Sequence, residues 1–162
     1  MTSNSTRERL VEAAIDLLHV HAYPAVGVQA ICESAGVRKG SFYHFFGSKE
    51  DLAITAVDEA WARYRTLVVE PAIATGDPIP TAEAESPCLP GSTDGGRVPH
   101  GCMFCRLAAS VTEQEPRLQQ RLGDLFGEWA DMLGGGSEGW ATLADLQGRL
   151  VIGFALPEGV TS

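Results

Sequence analysis

An all-α fold is what the sequence predicts: a three-helix N-terminal unit, a linking fourth helix and a reduced helical C-terminal domain. Two observations carry this. Apolar residues recur at i, i+3, i+4 and i+7 in the clearest segments. Ser5 with Glu8, and Ser48 with Asp51, have the spacing of capping boxes, in which the serine accepts from the third backbone N–H and the acid reaches back.

The elements follow in order. The first helix is expected to begin near Thr6, with Leu10, Val11, Ala14, Ile15, Leu17 and Leu18 forming a broad apolar face, and to end within 19–24. A short second helix fits 28–34, with Val28, Ile31 and Cys32 inward. Gly36 then supplies the positive φ of a tight helix–helix turn. Phe42, Phe45 and Phe46 lock a third, short helix onto the first two, and Gly47 closes it. A fourth helix carries Ala53, Ala56, Val57, Ala60, Trp61 and Tyr64 on one stripe and is expected to stop before Pro71.

Charge is distributed against this plan. The formal net charge is -9, yet residues 1–50 balance five cations against five acids, so the whole acidic excess lies in 51–162. From Ala35 to Lys49 the chain holds Arg38, Lys39 and Lys49 and no acid. A segment charged against its own chain points to a polyanionic partner. A helix, a turn and a second helix is the arrangement in which the second helix enters a DNA major groove. Arg38 and Lys39 start that helix, where their side chains can reach phosphate and base edges, and Gly40 and Ser41 allow close approach. Tyr43 and His44 present polar tips, and Lys49 stands in the first turn of the next helix, whose free N–H groups favour a phosphate.

The strings Thr6-Arg-Glu-Arg, Ala13-Ala-Ile-Asp-Leu, Val28-Gln-Ala-Ile, Ala35-Gly-Val, Lys39-Gly-Ser-Phe-Tyr-His and Phe46-Gly-Ser-Lys-Glu-Asp-Leu resemble the N-terminal domain of TetR-type transcriptional repressors, without a gap over residues 6–64. The resemblance implies a DNA-binding domain over 4–64 with its helix-turn-helix at 27–46, and a C-terminal helical domain over 65–162 that binds a small-molecule effector and forms a homodimer. It implies Lys39, Tyr43, His44 and Lys49 as DNA contacts, with Gln29 near the DNA backbone. Arg38 stands where the family usually has a Ser or Thr cap, and Gly27 where it has another. Arginine cannot cap but can add a phosphate or guanine contact; glycine is an acceptable cap.

The second half fits this pattern less well. Residues 71–100 hold Pro71, Pro78, Pro80, Pro87, Pro90 and Pro99 without a helical period, and are expected to be irregular. Leu107, Ala108 and Val111 fit a helix after Gly101. Pro116 opens another, with Leu118, Leu122, Leu125, Phe126, Trp129 and Met132 on one face. After Gly134-Gly-Gly-Ser only Trp140, Leu143, Leu146 and Leu150 suggest a helix, so the dimerisation helices of the family are at best partly present and a shortened body is expected.

Cys88, His100, Cys102 and Cys105 supply a competing reading. Cys102 and Cys105 form a Cys-x-x-Cys, so a cytosolic thiol redox protein, a metal-binding protein or an electrophile-sensing thiol pair are alternatives. Zinc usually wants two close pairs and Cys88 has no near partner, so no metal site is assigned; packed core thiols are the simplest account. No cofactor and no catalytic residue are expected. No apolar run approaches the roughly 20 residues that span a bilayer, and Met1–Thr6 lacks the blocks of a signal peptide, so a cytoplasmic location is expected. The expected partners are double-stranded DNA with a palindromic operator, a second copy of the chain and an unknown effector. A truncated regulator that no longer dimerises is a further alternative.

Overall fold

The computed structural model describes residues 3–76, 103–135, 138–139 and 141–142. Every regular element among them is helical: α1 (Ser3–Val20), a 3-10 turn (Tyr23–Ala25), α2 (Val28–Ala35), α3 (Lys39–Phe45), α4 (Lys49–Tyr64), a π-helical turn (Arg65–Val69), α5 (Glu70–Thr75), α6 (Met103–Ser110) and α7 (Pro116–Met132). α1 runs from Ser3, so Ser5 lies within the helix and not at the N-cap position that the Ser5/Glu8 spacing predicts.

α1, α2 and α3 pack as predicted around Leu10, Val11, Ala14, Ile15, Ile31, Cys32, Phe42 and Phe46, all buried. Gly36 closes α2 in the left-handed conformation at φ 61. The N–H of Val37 reaches back to Cys32 O (2.8 Å), which satisfies the last carbonyls of α2. α3 ends differently from expectation. Phe46, in extended geometry, terminates it by burying its own ring, and Gly47 is not in a positive-φ conformation.

α4 forms the spine. Ser48 accepts from the N–H of Asp51 (3.0 Å), so the second predicted capping box is present. Arg63 of α4 forks onto Glu12 of α1, with Nη1 to Oε2 at 3.0 Å, and its Nη2 also reaches Glu59 (3.2 Å). The chain does not break before Pro71. Glu70 N–H bonds to Arg65 O, an i→i+5 closure that widens one turn and admits Pro71 at the start of α5. The extra residue shifts the buried stripe: after Ala60, Trp61 and Tyr64 the next buried positions are Val69 and Ala72, while Pro71 faces solvent. Residues 71–75 of the stretch expected to be irregular are therefore helical, and 77–102 lie outside the described residues.

α6 and α7 pack on α4 and α1 as one continuation of the same core. Trp61 and Tyr64 of α4 meet Trp129 of α7 at ring-centroid distances of 5.4 and 5.2 Å, and Phe104 of α6 at 6.1 and 6.4 Å. The indole N–H of Trp61 donates to Glu128 (2.8 Å). Leu118, Leu122, Leu125, Phe126 and Trp129 are fully buried, as their spacing predicted, and Met132 is half-buried. Beyond α7, Gly139 lies so close to Ala130 O that a Cβ would sit 2.0 Å from it, and only glycine fits that approach. The remainder of the helix suggested by Trp140, Leu143, Leu146 and Leu150 lies outside the described residues.

Gly36→Ala is expected to cost about 1–2 kcal/mol from the left-handed backbone alone. A Cβ at this position would also stand 2.7 Å from Arg9 Nη2. Urea unfolding of the purified variant against wild type measures the loss.

Candidate nucleic-acid interface

α3 is only seven residues long, and its two sides differ completely. Phe42 is fully buried, with its ring 5.9 Å from Phe46, and Phe45 is half-buried. On the opposite side Arg38, Lys39, Gly40, Tyr43 and His44 are exposed and Ser41 is half-buried. Lys39 and Tyr43 are one turn apart, as are Gly40 and His44, so each pair shares a face. Tyr43 is 57% exposed, although its ring keeps an edge-to-face contact with Phe42 at 5.1 Å between centroids. A Cβ at Gly40 would meet nothing within 4 Å, so the helix surface there is open. Arg38 takes the N-cap position at φ -72, ψ 144 without a side-chain capping bond, as its chemistry dictates.

The turn between α2 and α3 is held from α1. Arg9 donates through Nη2 to Ala35 O and to Gly36 O, the latter at 3.0 Å. A cation at the carbonyl end of α2 opposes the negative end of the helix dipole and satisfies exposed acceptors. Sequence reasoning missed this residue. Arg9 borders the apolar face of α1, but nothing local indicates that a carbonyl of residue 35 stands opposite it.

Two of the sequence-derived candidates sit differently from the rest. Gln29 is exposed on α2, and its amide donates to Glu33 one turn on (2.7 Å). Lys49 is turned inward. Its Nζ donates to Tyr23 O (3.1 Å) and Val26 O (3.0 Å) and lies 3.8 Å from the centre of the Tyr23 ring. Burial lowers the Lys49 pKa, with Glu115 opposing that shift. Burial raises that of the Tyr23 hydroxyl, with Glu115 and Glu50 adding to it. The expected phosphate-facing position of Lys49 is therefore not the one it occupies, because two carbonyls and an aromatic face outcompete solvent for the ammonium. The remaining cations and hydroxyls form one rim: Arg38, Lys39, Ser41, Tyr43 and His44.

The first turn of α4 also grips the body. Glu50 Oε1 accepts from the N–H groups of Arg117 (2.9 Å) and Leu118 (3.0 Å), capping α7 from another helix. Arg117 Nη1 donates to Asp51 Oδ1 at 2.5 Å. Tyr23 N–H donates to Ser110 Oγ at the end of α6 (3.1 Å), and Arg106 to Val20 O (3.2 Å). Of the thiols named above, Cys105 is half-buried on α6, whereas Cys88 and Cys102, with His100, lie outside the described residues. Cys32 is buried in the core of the helix-turn-helix, and burial raises its thiol pKa, which disfavours the reactive thiolate.

Residues 10–56 match the profile of the family described as bacterial regulatory proteins, tetR family. Over 136 residues the chain is 31% identical to the HTH-type transcriptional regulator LmrA of Bacillus subtilis, covering 82% of this chain and 71% of that protein. The chain belongs to the tetR family. It is thus a helix-turn-helix regulator that binds DNA, and not an enzyme. Further similarity is to the uncharacterized HTH-type transcriptional regulator YxaF of the same organism, 36% over 81 residues covering 49% of this chain and 42% of that protein. The HTH-type transcriptional repressor NemR of Escherichia coli is 32% identical over 69 residues, covering 43% and 35%. Against these two the chain spans less than half of the relative's length. Among the described residues no helix is long and apolar enough to cross a membrane.

The Asp51–Arg117 contact has a sign that acid can read. The hydrogen bond from Arg117 lowers the Asp51 pKa, Ser48 assists, and burial opposes. A carboxyl depressed in the folded state contributes stability above its unfolded value, about 3.9, and loses it as pH falls through the lower folded value. The stability difference between wild type and Asp51→Asn is therefore expected to be largest near neutrality and to shrink toward pH 3, followed by urea unfolding across that range.

Proposed function

We propose that the chain is an operator-binding repressor, acting as a homodimer whose two copies of α3 enter successive major grooves of a palindromic site. The DNA-binding part is 4–64, and the contacts are Arg38, Lys39, Gly40, Ser41, Tyr43 and His44, with Gln29 beside the DNA backbone. The observation that carries this reading is the division of α3: one side is locked into the core by Phe42 and Phe46, and the other offers cations and hydroxyls on an exposed rim. Lys39 and Arg38 neutralise phosphate or take guanine; Tyr43, Ser41 and His44 donate to phosphate oxygens. Gly40 leaves room for the duplex to approach.

Release by a small-molecule effector bound in residues 65–162 completes the proposal. Its support is mechanical. α7 packs on α4 through Trp129 against Trp61 and Tyr64, and Glu50 joins the start of α4 to the start of α7. A displacement of α7 is carried into α4, and from there into the separation of the two reading helices; an altered separation no longer matches adjacent grooves. The protein acts in the cytoplasm on this reading, where its DNA is.

Footprinting of the DNA upstream of its own gene tests the proposal. Wild-type protein is expected to protect an inverted repeat, and Lys39→Ala with Tyr43→Ala to abolish protection while leaving the helical circular dichroism unchanged. Protection that survives the double substitution moves the contact surface elsewhere; a monomer in sedimentation at micromolar concentration removes the two-half-site mechanism.

A further inference from the structure

The turn between α2 and α3 sets the angle at which α3 is presented, and its own residues hold it weakly. Gly36 turns the chain in the left-handed conformation at φ 61, and Arg38 follows at the N-cap of α3 without a side-chain capping bond. A serine, threonine, asparagine or aspartate at that cap accepts from an N–H of the first turn and so ties turn to helix; arginine has no acceptor. With seven residues, α3 brings little stiffness of its own to the junction.

Arg9 of α1 supplies the missing tie from outside. Its Nη2 carries two N–H groups and meets two acceptors, Ala35 O and Gly36 O, the latter at 3.0 Å. These carbonyls lie on successive peptide units where the chain changes direction, so one planar guanidinium holds both orientations at once. A Cβ on Gly36 would stand 2.7 Å from that nitrogen, a measure of how closely it seats in the turn. Arg7, two residues earlier in α1, stands 5.5 Å from the centre of the Phe46 ring at the other end of α3, and 4.0 Å from Glu59 of α4. α1 therefore reaches both ends of α3.

We propose that Arg9 is a positioning residue for sequence-specific recognition: by fixing the α2–α3 turn it sets how the exposed rim of α3 meets the base edges of a duplex. Phosphate contacts tolerate a small rotation of the helix, because a flexible cation follows a phosphate oxygen, whereas paired hydrogen bonds to a base edge do not. Loss of Arg9 is therefore expected to cost discrimination between sequences more than affinity for DNA as such. This rests on the reading of the α3 rim above, but the turn itself is observable in the free protein.

The test uses the full chain, a duplex selected from random sequence by the wild-type protein, and the same duplex with its selected bases scrambled. For Arg9→Met, affinity for the selected duplex is expected to fall about tenfold and that for the scrambled duplex by less than about twofold, with the salt dependence on the scrambled duplex unchanged. In the free protein, amide exchange over residues 35–42 is expected to rise about tenfold while exchange over 118–130 keeps the wild-type rate, which a general loss of stability would raise as well. Arg9→Lys, whose ammonium can donate to both carbonyls, is expected to restore most of the discrimination. Arg9→Gln, with a shorter reach, is expected to repeat the Arg9→Met signature more weakly, and it stands in for that variant should the latter not fold. Equal weakening on both duplexes with a flatter salt dependence makes Arg9 a phosphate contact and overturns the proposal, as does wild-type discrimination or unchanged exchange over 35–42. Failure of the wild type to discriminate between any duplexes sinks the reading of the rim instead, and the exchange comparison still decides whether Arg9 holds the turn.

Discussion

A helix of seven residues has too few internal hydrogen bonds to persist by itself, since the cost of nucleating the first turn is spread over almost no propagation. α3 therefore exists only because Phe42 and Phe46 are buried and Phe45 is half-buried beneath it. That burial fixes the helix at a single rotation about its axis. The rim of Arg38, Lys39, Tyr43 and His44 faces outward as a corollary, and the Tyr43 ring lies in edge-to-face contact with Phe42. Rigidity matters for recognition, because side chains that must be ordered on binding subtract their entropy from the affinity.

α4 transmits this constraint to the rest of the molecule. Its first turn deals with two neighbours at once: Lys49 with the α1–α2 link, and Glu50 and Asp51 with the N-terminus of α7, through its amides and the Arg117 side chain. Its last turns bury Trp61 and Tyr64 against Trp129 and Phe104. The surface ion pairs add little individually, because solvent screens them and long side chains lose freedom. The aromatic contacts at the other end are dry, and an aromatic pair contributes about 0.5–1.5 kcal/mol beyond its area. α4 thus resembles a lever with a polar, adjustable end near the DNA-facing unit and a stiff apolar end in the body.

The sequence was informative where residues interact with near neighbours. The Ser48/Asp51 box, the left-handed Gly36, the Trp61/Tyr64 stripe and the Leu118–Trp129 face are all spaced within one or two turns, and all are present. It was uninformative where partners are far apart in the chain. Arg9 meets carbonyls 26 and 27 residues away, and Glu50 meets amides 67 and 68 residues away. No local period encodes such meetings. Lys49 illustrates a third case: its residue type suited a phosphate, but its direction was decided by Tyr23 and Val26, which only the fold brings beneath it. α4 stops at Tyr64, before Pro71 as expected, but the helical path continues past it through the π turn into α5, which no local signal indicated. A proline's missing donor is tolerated in the first turn of a helix, and the surplus residue in 65–69 places Pro71 in that position of α5.

That surplus residue also changes what amphipathic patterns mean downstream. A stripe drawn at constant angle from Ala53 would put the inner side of α5 near Val68 and Pro71, yet Val69 and Ala72 occupy it. The helical wheel has been advanced by one notch part-way along a nearly continuous rod. Two surfaces of different azimuth can consequently be served by one uninterrupted stretch of helix, the proximal one by α4 and the distal one by α5, with no loop between them.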